Sequence, residues 1–293
     1  MVAQVRRFNR LVTQRVGALD DHFLARDRPL GEARVLWEIG PEGCDVRALR
    51  SRLDLDSGYL SRLLRSLEAA GLVNVEPSEP DKRVRTARLT SEGLAERTVL
   101  DERSDELAKS LLEPLSESQR NRLVEAMRDV ERLLTAAMVE VKPLDPLHPH
   151  AQYCMDQYFR ELNQRFEAGF DPSLSISADP DELRLPAGLV LAATLRSEPI
   201  GCGALKFHKD KPTELKRMWV AHSARGFGIG RRLLAELETE AARNGSRMVR
   251  LETNESLTEA IALYRSSGYV EVEPFNDEPY AHHWFEKRLT EKR

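Results

Sequence analysis

Cysteine is scarce in this chain of 293 residues: Cys44, Cys154 and Cys202 are scattered and odd in number. That argues against a disulfide-stapled secreted scaffold, and their spacing matches no cysteine-ligated metal site. We expect three reduced thiols, with Cys202, between Gly201 and Gly203, a small packing residue. No apolar run approaches the ~20 residues needed to span a bilayer, and the N-terminus lacks a signal-peptide core. The expected compartment is the cytoplasm, with no membrane partner. No His/Cys/Asp/Glu cluster has ligand spacing, so no metal is expected, and no G-x-x-x-x-G-K-[ST] phosphate loop occurs. With a net charge of −4 the chain as a whole is no polycation.

What is present fits two domains. The length is about twice that of a common domain, and 41% apolar with 31% charged residues suits a soluble chain with packed cores. We expect residues 1–137 and 138–293 as the two units, joined near the proline-bearing loop Leu144–His150. His148 and His150 are expected as solvent-exposed linker residues.

The N-terminal part reads as mostly helical. Val5, Phe8, Val12, Val16, Leu19 and Phe23 recur at helical intervals and predict an amphipathic helix over 4–25. Shorter helices are predicted at 31–39 and 45–52, and another from an Asp56 or Ser57 cap to Ala70, ended by Gly71. Extended segments Leu72–Glu76 and Arg83–Leu89 then form a β-hairpin. A long helical stretch opens at Ser91–Gly93 and breaks at Pro114, and a last helix runs to Ala137.

Helix, turn, helix and hairpin in that order make a winged helix–turn–helix. The words Leu60-Ser-Arg-Leu-Leu-Arg-Ser-Leu67, Ala70-Gly-Leu-Val73, Asp81-Lys-Arg83 and Leu89-Thr-Ser-Glu-Gly93 resemble the MarR family of transcriptional regulators over about residues 4–137. The resemblance implies a double-stranded DNA operator as partner, read by the helix from Asp56 lying in the major groove. Ser57, Tyr59, Ser61, Arg62 and Arg65 are its outward polar members, while Leu60, Leu63, Leu64 and Leu67 face the core. Arg83 and Arg85 of the wing would meet the minor groove or its phosphates. Between Val46 and Thr90 nine basic residues stand against six acidic ones, a local +3 that leaves −7 for the rest of the chain. A positive element inside an acidic protein is what phosphate binding requires. The family also implies a homodimer built from the first and last helices, on a pseudo-palindromic site.

The C-terminal half centres on Arg225-Gly-Phe-Gly-Ile-Gly230, between a predicted strand Leu215–Val220 and a predicted helix Arg231–Arg243. Glycines let backbone N–H groups approach an anion, and a helix N-terminus favours one. A dinucleotide fingerprint would need glycine where Arg231 stands; the remaining alternative is a glycine-rich turn with no ligand.

Four segments occur in order: Glu214–Val220, Ala224–Arg232, Arg247–Asn254 and Ala262–Tyr269. Their succession resembles the acyl-CoA-binding core of the GNAT N-acetyltransferase superfamily, over about residues 138–290. The expected fold is therefore multidomain α+β, a winged helix–turn–helix followed by an α/β domain with a central mixed sheet. The resemblance implies acetyl-CoA as acyl donor, with Arg225, Gly226, Phe227, Gly228, Ile229, Gly230 and Arg231 forming its pyrophosphate loop. Met218, Trp219 and Val220 would lie along the pantetheine, Met218 and Val220 through main-chain groups, with Asn254 bonding its amide or a water.

Acetyl transfer to an amine needs a general base, a donor for the oxygen of the tetrahedral intermediate and an acid for the thiolate. Glu214 is the first candidate base and Glu252 the second. A bulged strand N–H near Met218–Val220 is the candidate oxygen donor. Tyr264 stands where the family often places its acid, the alternative being an aromatic packed on the cofactor. Asp156, Glu161 and Glu167 lie on a predicted helix on the acceptor side, and one of His282 and His283 could face the acceptor site. The acceptor is a small-molecule amine or a protein lysine. A regulator that senses acetyl-CoA without turnover would carry the same glycine loop.

Overall fold

The computed structural model describes residues 1–78, 84–176 and 178–289. The chain divides into two compact units, Met1–Met127 and Arg128–Arg293.

In the first unit, α1 spans Val2–Arg15 and buries no residue. It is shorter than the predicted 4–25 helix. Gly17 takes a left-handed φ of 66°, and Leu24 and Ala25 also have positive φ, so the apolar repeat runs on after the helical backbone has ended. Val5 is 57% exposed and Leu19 83% exposed. Helix α2 (Leu30–Ile39), strand β1 (Cys44–Asp45), helix α3 (Val46–Leu53) and helix α4 (Ser57–Ala69) follow. The Asp45 carboxylate caps α3 by accepting from the Arg47 and Ala48 N–H groups at 2.7 and 2.9 Å. Asp56 caps α4 through the Tyr59 N–H at 2.8 Å. Gly71, at φ 72°, turns the chain out of α4.

Strands β2 (Val73–Pro77) and β3 (Arg85–Leu89) form the hairpin, in a sheet of order β1-β3-β2. Helix α5 (Ser91–Leu112) starts on a Thr90 cap and helix α6 spans Glu117–Ala137. Gly93 is required by space: a Cβ there would sit 2.0 Å from the Leu72 carbonyl oxygen. Val35, Leu36, Leu49, Leu60 and Leu67 are fully buried between α2, α3 and α4. At about 1.5–3 kcal/mol for each large apolar side chain, they hold α4 in place and leave its other face free.

The second unit contains β4 (Glu140–Leu144), α7 (Pro149–Arg165), β5 (Gly188–Leu195), β6 (Glu198–Lys206), β7 (Thr213–Val220), α8 (Ile229–Arg243), β8 (Met248–Thr253), α9 (Thr258–Ser266), β9 (Val270–Val272) and β10 (His283–Arg288). The strands form one mixed sheet, β4-β5-β6-β7-β8-β10-β9. Every pairing is antiparallel except β7 with β8, which α8 connects. Leu205, Leu233, Leu237, Leu251 and Phe285 form the core on the α8 face. Cys154 and Met155 of α7 pack with Val190, Cys202 and Ala204 in a second cluster. Cys202 is fully buried there, as a packing residue.

Two irregularities shape the site. The parallel ladder joins only Thr213 to Val249 and Glu214 to Arg250; beyond them β7 and β8 part. The β6–β7 register also shifts between Cys202 and Ala204, which pair with Trp219 and Lys216, so Arg217 and Met218 stand opposite Gly203 alone. This is a β-bulge, and Arg217 carries a positive φ of 55° within it.

Candidate active site and DNA-contact face

Where β7 leaves β8, two cavities open in the second unit, of 560 and 470 Å³. Both are lined by Tyr158, Met218 and Tyr264, so they meet at the bulge. The smaller runs along the outer stretch of β7 to the glycine loop, with Val220, Gly226, Gly228, Gly230 and Arg231 in its wall.

The loop is shaped for an anion. Gly226 and Gly228 have φ of 84° and 75°, conformations that side chains disfavour. Gly228 is the N-cap of α8 and supplies no side-chain acceptor. The first-turn N–H groups of α8 therefore need an outside partner, and the positive end of the helix dipole adds to their pull. Gly230 is close-packed, since a Cβ would lie 3.3 Å from Leu263 Cδ2. Arg231 lines the groove, its guanidinium donating to Ser266 Oγ at 3.0 Å.

Three residues of the expected set do other work. Arg225 grips the Glu161 carboxylate at 2.7 and 2.6 Å and donates to the Val220 carbonyl at 3.1 Å. Its charge is neutralised from α7, so it braces the loop, and it occupies one of the main-chain groups expected to meet the pantetheine. Phe227 packs against the hydrophobic core and is no part of the groove wall, while its neighbour Ile229 is both buried and in the wall. Asn254 borders the larger cavity; its amide donates to the Tyr280 carbonyl at 2.8 Å and accepts from the Ser256 N–H at 2.9 Å. It ties two loops together. Trp219 lines the groove and donates to Glu161 at 3.0 Å.

Glu214 is displaced as candidate base. It lies at the closed end of the β7–β8 fork and lines neither cavity. Burial pushes its pKa up, but Lys216, the Arg250 hydrogen bond at 2.7 Å and His208 outweigh this and hold the carboxyl below its usual range. A carboxylate so saturated with cations is a poor proton acceptor. Glu252 lies in the wall of the larger cavity. One of its oxygens pairs with Lys216, and the other, Oε2, is buried without a hydrogen-bond partner among the described residues.

Tyr264 is buried at the junction of the cavities, and burial, then the Glu252 charge, drive its pKa well above the ordinary phenol value. It stays protonated at neutral pH. Tyr158, on α7, faces the same junction and is likewise raised by burial. Neither Tyr158 nor Glu278 was singled out by sequence. Glu278 Oε2 accepts from Ser175 Oγ at 2.9 Å and the Ile176 N–H at 2.7 Å, holding one wall of the larger cavity. Of the three carboxylates expected on that helix, Glu161 faces the glycine-loop groove, Asp156 borders another cavity, and Glu167, which lies beyond the end of α7, lines none of the three. His283 contacts Glu271 at 2.5 Å, and neither it nor His282 lines these cavities.

On the first unit, Ser57, Tyr59, Ser61, Arg62 and Arg65 are all exposed along one face of α4. Arg62 stacks over the Tyr59 ring at 5.5 Å, and Arg65 Nε donates to the Ser61 carbonyl at 3.1 Å. Arg85 is exposed on β3, and Arg83 lies outside the described residues.

Comparison with known proteins assigns these two regions. Residues 155–269 match the acetyltransferase (GNAT) family and residues 27–84 the MarR family. An N-acetyltransferase of Schizosaccharomyces pombe, described as uncharacterized, is 30% identical over 132 residues, which are 41% of this chain and 80% of that protein. The chain joins a MarR-family domain to a GNAT-family acetyltransferase domain. An "IAA acetyltransferase" of Azospirillum brasilense is 39% identical over 35% of this chain and 66% of its own length. The "HTH-type transcriptional regulator TtmR" of Methylorubrum extorquens is 48% identical over 20% of this chain and 29% of its own length. The GNAT half thus holds the paired cavities and the MarR half the arginine-bearing helix face. Among the described residues no helix is long and apolar enough to cross a membrane.

Proposed function

We propose that residues 138–293 transfer the acetyl group of acetyl-CoA to an amine, and that residues 1–137 bind double-stranded DNA, as a homodimer in the cytoplasm. The observation that carries the catalytic reading is the meeting of two cavities at Met218 and Tyr264, beside the bulge and Glu252. The glycine loop fits an anionic pyrophosphate, because its helix cap is empty of side-chain acceptors. Gly226, Gly228, Gly230 and Arg231 would hold that group, and the unpaired side of β7 would lie along the pantetheine.

Acetyl-CoA supplies an activated thioester, whose C–S bond breaks as the C–N bond forms. Glu252 accepts the proton that the amine gives up, through Oε2, the oxygen that Lys216 leaves free. A main-chain N–H of the bulge at Arg217–Met218 stabilises charge developing on oxygen. Tyr264, kept protonated by burial, gives its proton to the leaving sulfur. For DNA binding, the outward face of α4 supplies the polar contacts. The exposed apolar residues of α1 and α6, Val5, Phe8 and Leu134 among them, support a dimer.

Calorimetric titration of acetyl-CoA and CoA into the full-length protein tests this reading. Gly228→Glu, by setting a negative charge against the pyrophosphate, should weaken binding about 100-fold or more. Tyr264→Phe should keep CoA affinity and lower turnover about 10²–10⁴-fold. Wild-type affinity in Gly228→Glu would sink the placement of the donor. Saturable acetyl-CoA binding with no turnover across amines would favour a sensor over an enzyme.

A further inference from the structure

The charged groups around the larger cavity mostly have a hydrogen-bond or ion-pair partner of their own. Lys216 pairs with Glu252 and stands 3.6 Å from Glu214. Glu278 is taken up by Ser175 and Ile176. Asp179 caps the turn Pro180–Leu183, and Glu182 pairs with Lys206 at 2.6 Å. Arg217 is different. Among the described residues no carboxylate lies within 4.0 Å of its guanidinium, although it lines the cavity and is sunk deeply enough for burial to lower its pKa.

Its geometry suits a planar anion. The guanidinium carbon sits 4.9 Å over the Phe159 ring, and among the described residues the one polar contact of the group is Nη1 to the Met155 sulfur at 4.0 Å. Stacking by the face leaves the N–H edge for in-plane bonds, the arrangement in which arginine takes a carboxylate. Asp179 and Glu182 act on this charge from a distance, but among the described residues neither takes up the N–H edge, which is left for a carboxylate. The backbone is held in an unfavourable φ of 55° to place this side chain, and the bulge brings Arg217 and Met218, consecutive residues, to the same cavity. The residue whose side chain would hold the carboxylate and the residue beside the reacting centre are therefore neighbours along β7.

One stretch of the wall is aromatic. Phe159 stacks on Phe170 at 5.8 Å, Phe170 meets Phe166 at 5.8 Å and Tyr280 at 4.8 Å, and all four line the cavity. We propose that the acceptor is a free α-amino acid with a large apolar side chain, its carboxylate held by Arg217 and its side chain by the Phe159–Phe166–Phe170–Tyr280 belt. The proposal rests on the acetyltransferase reading and narrows its acceptor, setting aside polyamines and protein lysines.

The probes are L-phenylalanine and phenethylamine, which differ by the carboxylate. Each is titrated into the full-length protein with and without CoA, and each is assayed for acetylation. Phenylalanine should bind, and have a kcat/KM, about 10- to 100-fold above phenethylamine, the range for a charge-assisted contact. In Arg217→Gln the ratio of the two substrates' binding and kcat/KM should fall to about one, whatever happens to the absolute rates. The wild-type comparison needs no variant, so a misfolded Arg217→Gln leaves it decisive. Phenethylamine equal to or better than phenylalanine in the wild type would overturn the proposal. Failure of CoA itself to bind would overturn the donor reading instead, and the titrations without CoA would still judge the Arg217 site.

Discussion

On α4 the arginines stand outward, Arg62 over the exposed Tyr59 ring and Arg65 against its own helix, with no carboxylate among the described residues ion-paired to either. On β7 and β8 the charged side chains other than Arg217 are buried and bound to each other: Arg250 to Glu214, and Lys216 to both Glu214 and Glu252. Solvent carries the cost of the first arrangement, so each arginine keeps its full charge for a phosphate or a base edge. Burial makes unpaired charge costly in the second, because an isolated ion out of water costs several kcal/mol, and only the half-buried Arg217 departs from that pairing. Reactivity there resides in what pairing leaves over, the Oε2 atom of Glu252 and the guanidinium edge of Arg217.

The sharpest way to break this contrast is to neutralise the two carboxylates in turn. Glu252→Gln should lower kcat about 10²–10⁴-fold while leaving CoA affinity in place. Glu214→Gln should act on stability, costing about 3 kcal/mol or more by stranding Arg250, with a smaller change in kcat. Turnover and denaturant unfolding of the two variants decide between them. If Glu214→Gln lost turnover as Glu252→Gln does, the saturated carboxylate would be the base after all.

The same contrast explains what could be read from sequence. The α4 face was legible because exposure on a helix follows a local period: Leu60, Leu63, Leu64 and Leu67 point one way, and Ser57, Ser61, Arg62 and Arg65 the other. Its ends were legible from Asp56 and Gly71, whose capping roles need only neighbouring residues. The glycine loop was legible for the same reason. The role of Arg225 was not, because Glu161 lies 64 residues away on α7. Nor was that of Glu214, whose partner Arg250 comes from another strand. Arg217 did leave a trace: Lys216 and Arg217 together interrupt the alternation of a strand, the mark of a bulge. For α1 the apolar repeat misled, since it continues past Gly17, where the helical backbone has stopped.

A smaller effect sharpens the comparison from the DNA side. Arg62→Ala should cost about 1–3 kcal/mol of operator affinity if the side chain reads a base, or act nearly uniformly across sequences with a salt slope lower by about one if it meets a phosphate. Fluorescence anisotropy over a salt series separates the two. Unchanged affinity in the Arg62→Ala, Arg65→Ala pair would show that outward arginines on α4 are ordinary solvated charges and that another surface meets DNA.

The smallest expected effect lies between these extremes, in an ion pair at the rim of the glycine-loop groove. Arg165 of α7 donates to Glu259 of α9 at 2.7 and 3.0 Å. That hydrogen bond, helped by the backbone N–H at the helix start, lowers the Glu259 pKa to about 2. A depressed carboxyl lends stability that is fully present above the unfolded value, about 4.3, and drains as pH falls towards the folded one. The Glu259 side chain is 62% exposed, so solvent screening cuts the contribution to a few tenths of a kcal/mol. Glu259→Gln should therefore sit slightly below the wild type in denaturant stability at pH 7, with the gap narrowing between pH about 4.3 and about 2. A gap that widened on acidification would mean that the carboxyl is protonated in the folded protein. Even at the groove rim, then, an exposed pair should behave like the outward charges of α4 and unlike the buried set around Glu214.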